Sequence, residues 1–293
     1  MLASLFRPRP SYLTCAGRDD GGGAQIIAQI SVMALAKLRG LTYAHTPLSD
    51  VAHRPEDQSR EAWAAAWEER FQLGHGEISA QALLDQGLSF RAIRRAHRFL
   101  PRPHTVHQLA HAHKVTNRHP EVLAKLAPEL RERYLRTPTP PLRFDEGKIR
   151  VALHLRRGDV GASGLFSERF TETATVVERV RHLHRVFGRE NLHLILFSQG
   201  KPEDFEPFTQ LGAELQLDFP VFDTFHHFAA CDVLLTAIST FSYLGGWIGG
   251  PVCFYEPFWH PPLPGWHSVD ELKTLAPHVL RTEVESARAR GFQ

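Results

Sequence analysis

The sequence predicts an α/β protein of two domains with mainly parallel sheets, and three observations carry that reading. Short apolar stretches alternate with helical ones along most of the chain, as in parallel strands covered on both faces. The 293 residues are about twice the length of one ordinary domain. Between the halves, Thr137 to Leu142 (TPTPPL) cannot continue a helix and reads as a linker. The domains are therefore drawn as residues 1–142 and 143–293, with a hinge at 137–148.

The first domain opens with a strand at Tyr12–Ala16, a loop at Gly17–Gly23 and then a helix. On that helix Ile26, Ile30, Met33 and Ala34 share a face, and Gly40 ends it. Residues 41–48 form the next strand, completing a β–α–β unit. The run REAWAAAWEERFQL, Arg60–Leu73, is rich in strong helix formers, and a second helix covers Glu121–Leu135. In the second domain, strands are expected at Ile149–Leu155, Leu192–Phe197, Glu214–Leu217, Val233–Ala237 and Val252–Tyr255. Helices lie between them; the first carries Phe170, Ala174, Val177, Val180 and Phe187, and an amphipathic helix closes the chain.

Composition narrows the function classes. Lys and Arg number 34 against 32 Asp and Glu, a net charge of +2 that does not mark a nucleic-acid binder. Three distant cysteines, Cys15, Cys231 and Cys253, offer neither a disulfide framework nor paired-CxxC zinc spacing, and fit a reducing, cytoplasmic setting. The uncharged stretch Val233–Tyr255 is broken by Gly245, Gly246, Gly249, Gly250 and Pro251, so it reads as strand, turn, helix and strand, not a membrane span. HExxH, GxSxG and P-loop lysine motifs are absent.

Ligands of parallel sheets bind beyond the carboxyl ends of the strands, where three loops carry unusual chemistry. His154-Leu155-Arg156-Arg157-Gly158-Asp159 follows a strand directly. One arginine can fork onto a phosphate while the other is held by an acid such as Asp159; a structural ion pair is the plainer alternative. Ser239-Thr240-Phe241-Ser242 stands between a strand and a helix, where hydroxyls and free amides favour an anion. An ordinary N-cap explains the same residues. Asp19 to Gln25 (DDGGGAQ) is a glycine-rich turn that fits either close ligand approach or tight packing.

Together these segments resemble a known family. HLRRGD looks like the HxRRxD motif of GDP-fucose-dependent fucosyltransferases, among them the α-1,2, the α-1,6 and the protein O-fucosyltransferases. AISTFSYLGGWIG resembles the STFSWWGAWLG-like segment of the α-1,2 enzymes, and GGGAQ resembles their GGLGNQ start. The resemblance implies a GT-B-like fold of two facing Rossmann-type domains, and inverting, metal-independent transfer of fucose from GDP-fucose to a glycan hydroxyl. It also implies that Arg156 binds the β-phosphate, His154 shapes the nucleotide site, Asp223 contacts guanine, and Ser239, Thr240 and Phe241 face the diphosphate and sugar. Gly22, Gly23 and Gln25 would be substrate-binding residues of the first domain, with Arg157 and Asp159 as structural support.

Two positions depart from the pattern. The family's asparagine is Ala24 here, and where the α-1,6 enzymes carry a base the chain has Gly164; Glu168 is then the candidate base. These departures leave open a non-catalytic nucleotide-sugar or glycan-binding module. Because an arginine clamp recognises diphosphate and not the sugar, a GT-B transferase using another nucleotide sugar is open as well. No cofactor or metal is expected, because no DxD carboxylate pair is present. The acceptor side falls in the first domain, where residues 50–136 match nothing. Within it, residues 91–119 hold seven Arg or Lys and no acid. His107, His111 and His113 are spaced so that two imidazoles could share a helix face as a metal pair, but without a neighbouring cysteine or carboxylate a solvated basic face fits better. Such a face would suit an anionic acceptor or a membrane surface. With only Phe99 interleaved, no nucleic acid is expected.

Overall fold

The computed structural model describes residues 10–292. Contacts divide the chain into two compact units, Met1–Thr137 and Pro138–Gln293, so the division falls inside the proline-rich segment.

The first unit contains β1 (Ser11–Cys15), α1 (Gly22–Arg39), β2 (Thr42–His45), α2 (Arg60–Phe71), β3 (Ile78–Ser79), α3 (Ala80–Asp85), β4 (Ser89–Ala92), β5 (Thr105–Leu109), α4 (His113–Thr116) and α5 (Pro120–Leu135). All five strands run parallel in the order β3-β2-β1-β5-β4. Helix α1 forms because apolar residues cover most of its circumference, and it ends where Gly40 adopts φ 60°, a left-handed stop that lacks a Cβ clash.

Strand β5 corrects the sequence reading of residues 91–119. Its central residues Val106 and His107 are both fully buried, between β1 and β4. The histidines also do not share a helix face: His107 lies on β5, His111 in the following loop, and His113 opens α4. Periodicity misleads here because TVHQL reaches the interior with a histidine where a strand usually shows an apolar residue.

The second unit contains β6 (Ile149–His154), α6 (Thr173–Phe187), β7 (Leu192–Ser198), α7 (Glu206–Gln210), β8 (Glu214–Leu217), α8 (Val221–Ala230), β9 (Val233–Leu235), α9 (Thr240–Gly249), β10 (Val252–Tyr255), β11 (His267–Ser268) and α10 (Pro277–Arg290). Its six parallel strands are ordered β11-β10-β9-β6-β7-β8. Counted from β6, that is 6-5-4-1-2-3, the Rossmann order. Alternation buries both faces. Val151, Leu153, Leu194, Leu196, Val233 and Leu235 pack on one side, and Ala152, Ile195, Phe197 and Leu234 on the other. Helices α8 and α9 meet so closely that a Cβ at Gly249 would stand 2.0 Å from the Ala229 carbonyl oxygen. Side chains cannot occupy that contact, which explains part of the glycine-rich GGWIG run.

Asp223 lies past the end of β8. The strand ends at Leu217, Asp218 takes φ 49°, and Pro220 precedes α8, placing Asp223 in that helix's first turn. A proline cannot donate to the sheet ladder, so the chain leaves the sheet before it.

Candidate functional site

In the second unit, β6 is central, with β7 and β8 to one side and β9 to β11 to the other. Successive crossovers thus diverge at β6 and β9, opening a crevice beyond their carboxyl ends, the usual ligand position of such sheets. The two loops that leave these strands hold Arg156 and Ser239–Phe241. Two motifs some eighty residues apart in sequence therefore flank the same switch point.

Adjacent residues at a strand end point to opposite sides, and the two arginines obey this. Arg156 reaches forward and forks onto Asp159, with Nε to Oδ1 at 3.1 Å and Nη2 to Oδ2 at 2.6 Å. Arg157 turns back under the loop. Its Nη1 donates to the Arg156 carbonyl at 2.9 Å, its Nη2 to the Thr171 carbonyl at 2.9 Å, and its guanidinium lies 4.1 Å from the Phe170 ring centroid. This corrects the expectation that Asp159 holds Arg157: the acid belongs to Arg156, while carbonyl oxygens and an aromatic face hold Arg157. A guanidinium has five donors in a planar fork. Asp159 occupies the Nε edge, so Arg156 still presents both Nη1 hydrogens and one on Nη2.

His154 ends β6 beneath this loop. Its Nδ1 is shut off from solvent with no hydrogen-bond partner, and its ring packs against Phe228 and Phe241 at centroid distances of 5.1 and 6.4 Å. Burial, with the Arg156 charge as a second cause, pushes its pKa down to about 3. The imidazole is neutral, a packing element under Phe241 and not a charged ligand.

Across the crevice, Ser239 caps α9, its Oγ accepting from the Phe241 amide at 3.2 Å. The N-cap geometry is thus present, and the hydroxyl hydrogen stays available to an anion. Ser242 is fully buried and turned inward, its Oγ accepting from the Ala237 amide at 3.3 Å. Thr240 and Phe241 are half-buried at the helix start. Three supports escaped the sequence reading. Thr236 Oγ1 accepts from the Glu256 amide at 2.9 Å, and Glu256 is ion-paired with Arg179, which is only 6% exposed on α6. A charged residue on an apolar helix face, between Val176 and Val180, was the signal that could have found it.

Each of the other expected residues has its own setting. Glu168 sits on a short 3-10 turn, its side chain 63% exposed and paired with Arg169 Nε at 3.2 Å. Asp223 opens α8, where its carbonyl accepts from His227 Nδ1 at 2.7 Å. In the first unit, a Cβ on Gly22 would stand 2.3 Å from the Trp67 ring, so that glycine is required by helix packing. Gly23 is buried in the same first turn of α1. Gln25 is 1% exposed and donates through Nε2 to the Asp20 and Asp50 carbonyls at 2.7 and 2.6 Å. It laces two loops together. Among the described residues no group of three or more His, Cys, Asp or Glu is placed to hold a metal ion, and no helix is long and apolar enough to cross a membrane.

No protein-family model and no curated protein matches the chain. Solved structures do. Apo POFUT1 is 11% identical, with 86% of this chain and 99% of that chain covered at a TM-score of 0.51. POFUT1 in complex with GDP-fucose is 10% identical, with 90% and 98% covered at 0.51. The E. coli heptosyltransferase WaaC with ADP is more distant, 12% identical with 94% and 99% covered at 0.42. What the chain shares with POFUT1 is the fold, a GT-B-like α/β architecture of two Rossmann-type units with parallel sheets.

Proposed function

We propose that the protein is a glycosyltransferase that moves fucose from GDP-fucose to a glycan hydroxyl with inversion and without a metal. The observation that carries the reading is the convergence of Arg156 and the Ser239–Phe241 helix start on the switch point of the second unit. The HLRRGD and AISTFSYLGG segments support GDP-fucose as donor, and so does the shared fold of POFUT1, a structure of which holds that molecule.

When GDP leaves, charge accumulates on the β-phosphate. The unoccupied edge of the Arg156 guanidinium and the first amides of α9 are the cationic and dipolar groups that oppose it. Both are fixed before reaction, Arg156 by Asp159 and the helix start by Ser239 and Ser242, so little reorganisation is needed. A preorganised guanidinium fills the role of a divalent cation, which is the physical basis for metal independence. Asp223, at the first turn of α8, is the candidate guanine contact, and Glu168, with its carboxylate turned to solvent, is the candidate base.

A thermal-shift and turnover panel over GDP-fucose, GDP-mannose and UDP-sugars tests the reading. Stabilisation by GDP-fucose and fucose transfer in excess chelator are expected. Stabilisation by a UDP-sugar with none by any GDP species overturns the donor. Loss of turnover on chelation, restored by Mg²⁺ or Mn²⁺, overturns the clamp. Binding without turnover across a broad acceptor panel identifies a nucleotide-sugar-binding module instead.

A further inference from the structure

Among the described residues, a one-sided charge distribution lies on the first unit's segment between β4 and β5. Arg94, Arg95, Arg98 and Arg102 are all exposed there, and none makes an ion pair with a described residue. The sequence supplies no acid between Asp85 and Glu121. Unpaired arginines at this density repel one another, so their positions are stabilised when an anionic surface is brought to them.

The same segment exposes apolar groups. Leu100 is 76% exposed and Phe90, on the neighbouring edge strand β4, is 52% exposed. Leu100 is not displayed by a loose loop. Its neighbour Phe99 is 3% exposed and packs edge-on against His107 at 4.7 Å, and the Arg102 amide donates to His107 Nε2 at 3.0 Å. The Ser11 hydroxyl donates to the Arg102 carbonyl at 2.6 Å, and the His104 amide to the Pro10 carbonyl at 3.0 Å. Phe99 is thus the inward anchor of a pinned turn, and Leu100 its outward tip. His107, fully buried in a strand, gains a purpose: it is the post to which the turn is tied.

We propose that this turn is a peripheral membrane-binding surface: the exposed arginines engage the headgroups of an anionic lipid bilayer while Leu100 and Phe90 enter its interfacial region. Basic residues near such a surface act together with shallow apolar insertion, and neither alone gives stable attachment. A free polyanion is matched by the arginines but gives Leu100 nothing to bury against, and stacking on nucleic acid bases needs more than one exposed aromatic. The tip residue therefore favours lipid.

Co-sedimentation of the full-length protein, without donor, with phosphatidylcholine vesicles and with vesicles containing phosphatidylglycerol tests this. Pelleting is expected only with the mixed vesicles and is expected to weaken at high salt. The triple reversal Arg94→Glu, Arg95→Glu, Arg98→Glu should reduce partitioning by about a hundredfold or more, and Leu100→Ser by about tenfold. All four positions are exposed, so melting temperatures should stay near wild type and exclude misfolding as the cause. No pelleting with anionic vesicles, pelleting unaffected by the triple reversal, or pelleting unaffected by Leu100→Ser each overturns the proposal. In the last case, a single-stranded oligonucleotide bound as tightly as the vesicles would mark the patch as a polyanion surface.

Discussion

Both units present a parallel sheet with a loop leading from a central strand into a helix, yet the two loops use that geometry differently. In the second unit, the loop after β6 sends Arg156 outward with part of its guanidinium uncommitted, opposite the capped start of α9. In the first, the glycine-rich turn before α1 is closed by packing. Gly22 lies under Trp67, Gln25 laces two loops, and Arg18 is ion-paired with Asp20. Glycines ahead of a helix permit close approach, but the thing that approaches can be a tryptophan as readily as a phosphate.

The comparison breaks most sharply at Arg156. Arg156→Ala should lower single-turnover fucose transfer by roughly a hundredfold to a thousandfold with little change in melting temperature. Arg156→Lys should recover only part, because an ammonium cannot fork onto Asp159 and phosphate together. Wild-type turnover in the alanine variant would remove the clamp.

Asp159→Asn sharpens the same point. If the carboxylate orients Arg156, its loss should weaken GDP affinity about tenfold, the scale of one charge-assisted hydrogen bond. Tighter GDP binding, measured by calorimetry, would instead make Asp159 a competitor that the diphosphate displaces.

Gly22→Ala addresses the other unit. With Trp67 at 2.3 Å, overpacking should cost about 1–3 kcal/mol of stability, read by urea denaturation, while GDP affinity of the folded fraction stays near wild type. A large loss of GDP affinity without destabilisation would show instead that the turn contacts the nucleotide.

The smallest effect concerns pH. His154 has a folded pKa near 3 against 6.5 in the unfolded chain, so the unfolded state binds the extra proton between those values. Stability should therefore fall as pH drops from 6.5 towards 3, with this residue contributing at most about 1.4 kcal/mol per pH unit. His154→Asn should flatten that slope, measured as the urea midpoint against pH. An unchanged slope would mean the imidazole is protonated in the folded protein.

Much of the α/β fold was legible because Ile149–His154, Leu192–Ser198 and Val252–Tyr255 are apolar runs bounded by turn residues, a pattern set by burial on two faces. Strand β5 was not, since a buried histidine defeats a reading based on hydropathy. The HLRRGD loop was legible as chemistry, but the partner of each arginine was not. Which guanidinium meets Asp159 depends on the turn that Arg157 makes towards Thr171 and Phe170, residues some fourteen positions downstream. The turn that carries the chain to Asp223 was only half legible: Pro220 marks it, but the φ of 49° at Asp218 leaves no trace in the sequence.

All three thiols are buried, Cys15 in the first unit and Cys231 and Cys253 in the second. Burial pushes Cys15 up to about 12 and raises the other two well above the ordinary thiol range. Thiolate, the form that reacts with alkylating reagents, is therefore scarce at every cysteine while the fold is intact. Each sulfur becomes a timer: its labelling rate records how often its own unit opens. Mass-resolved alkylation of the unmodified chain would read the breathing of the two sheets separately, with no engineered probe, and would register which of them a bound nucleotide quiets.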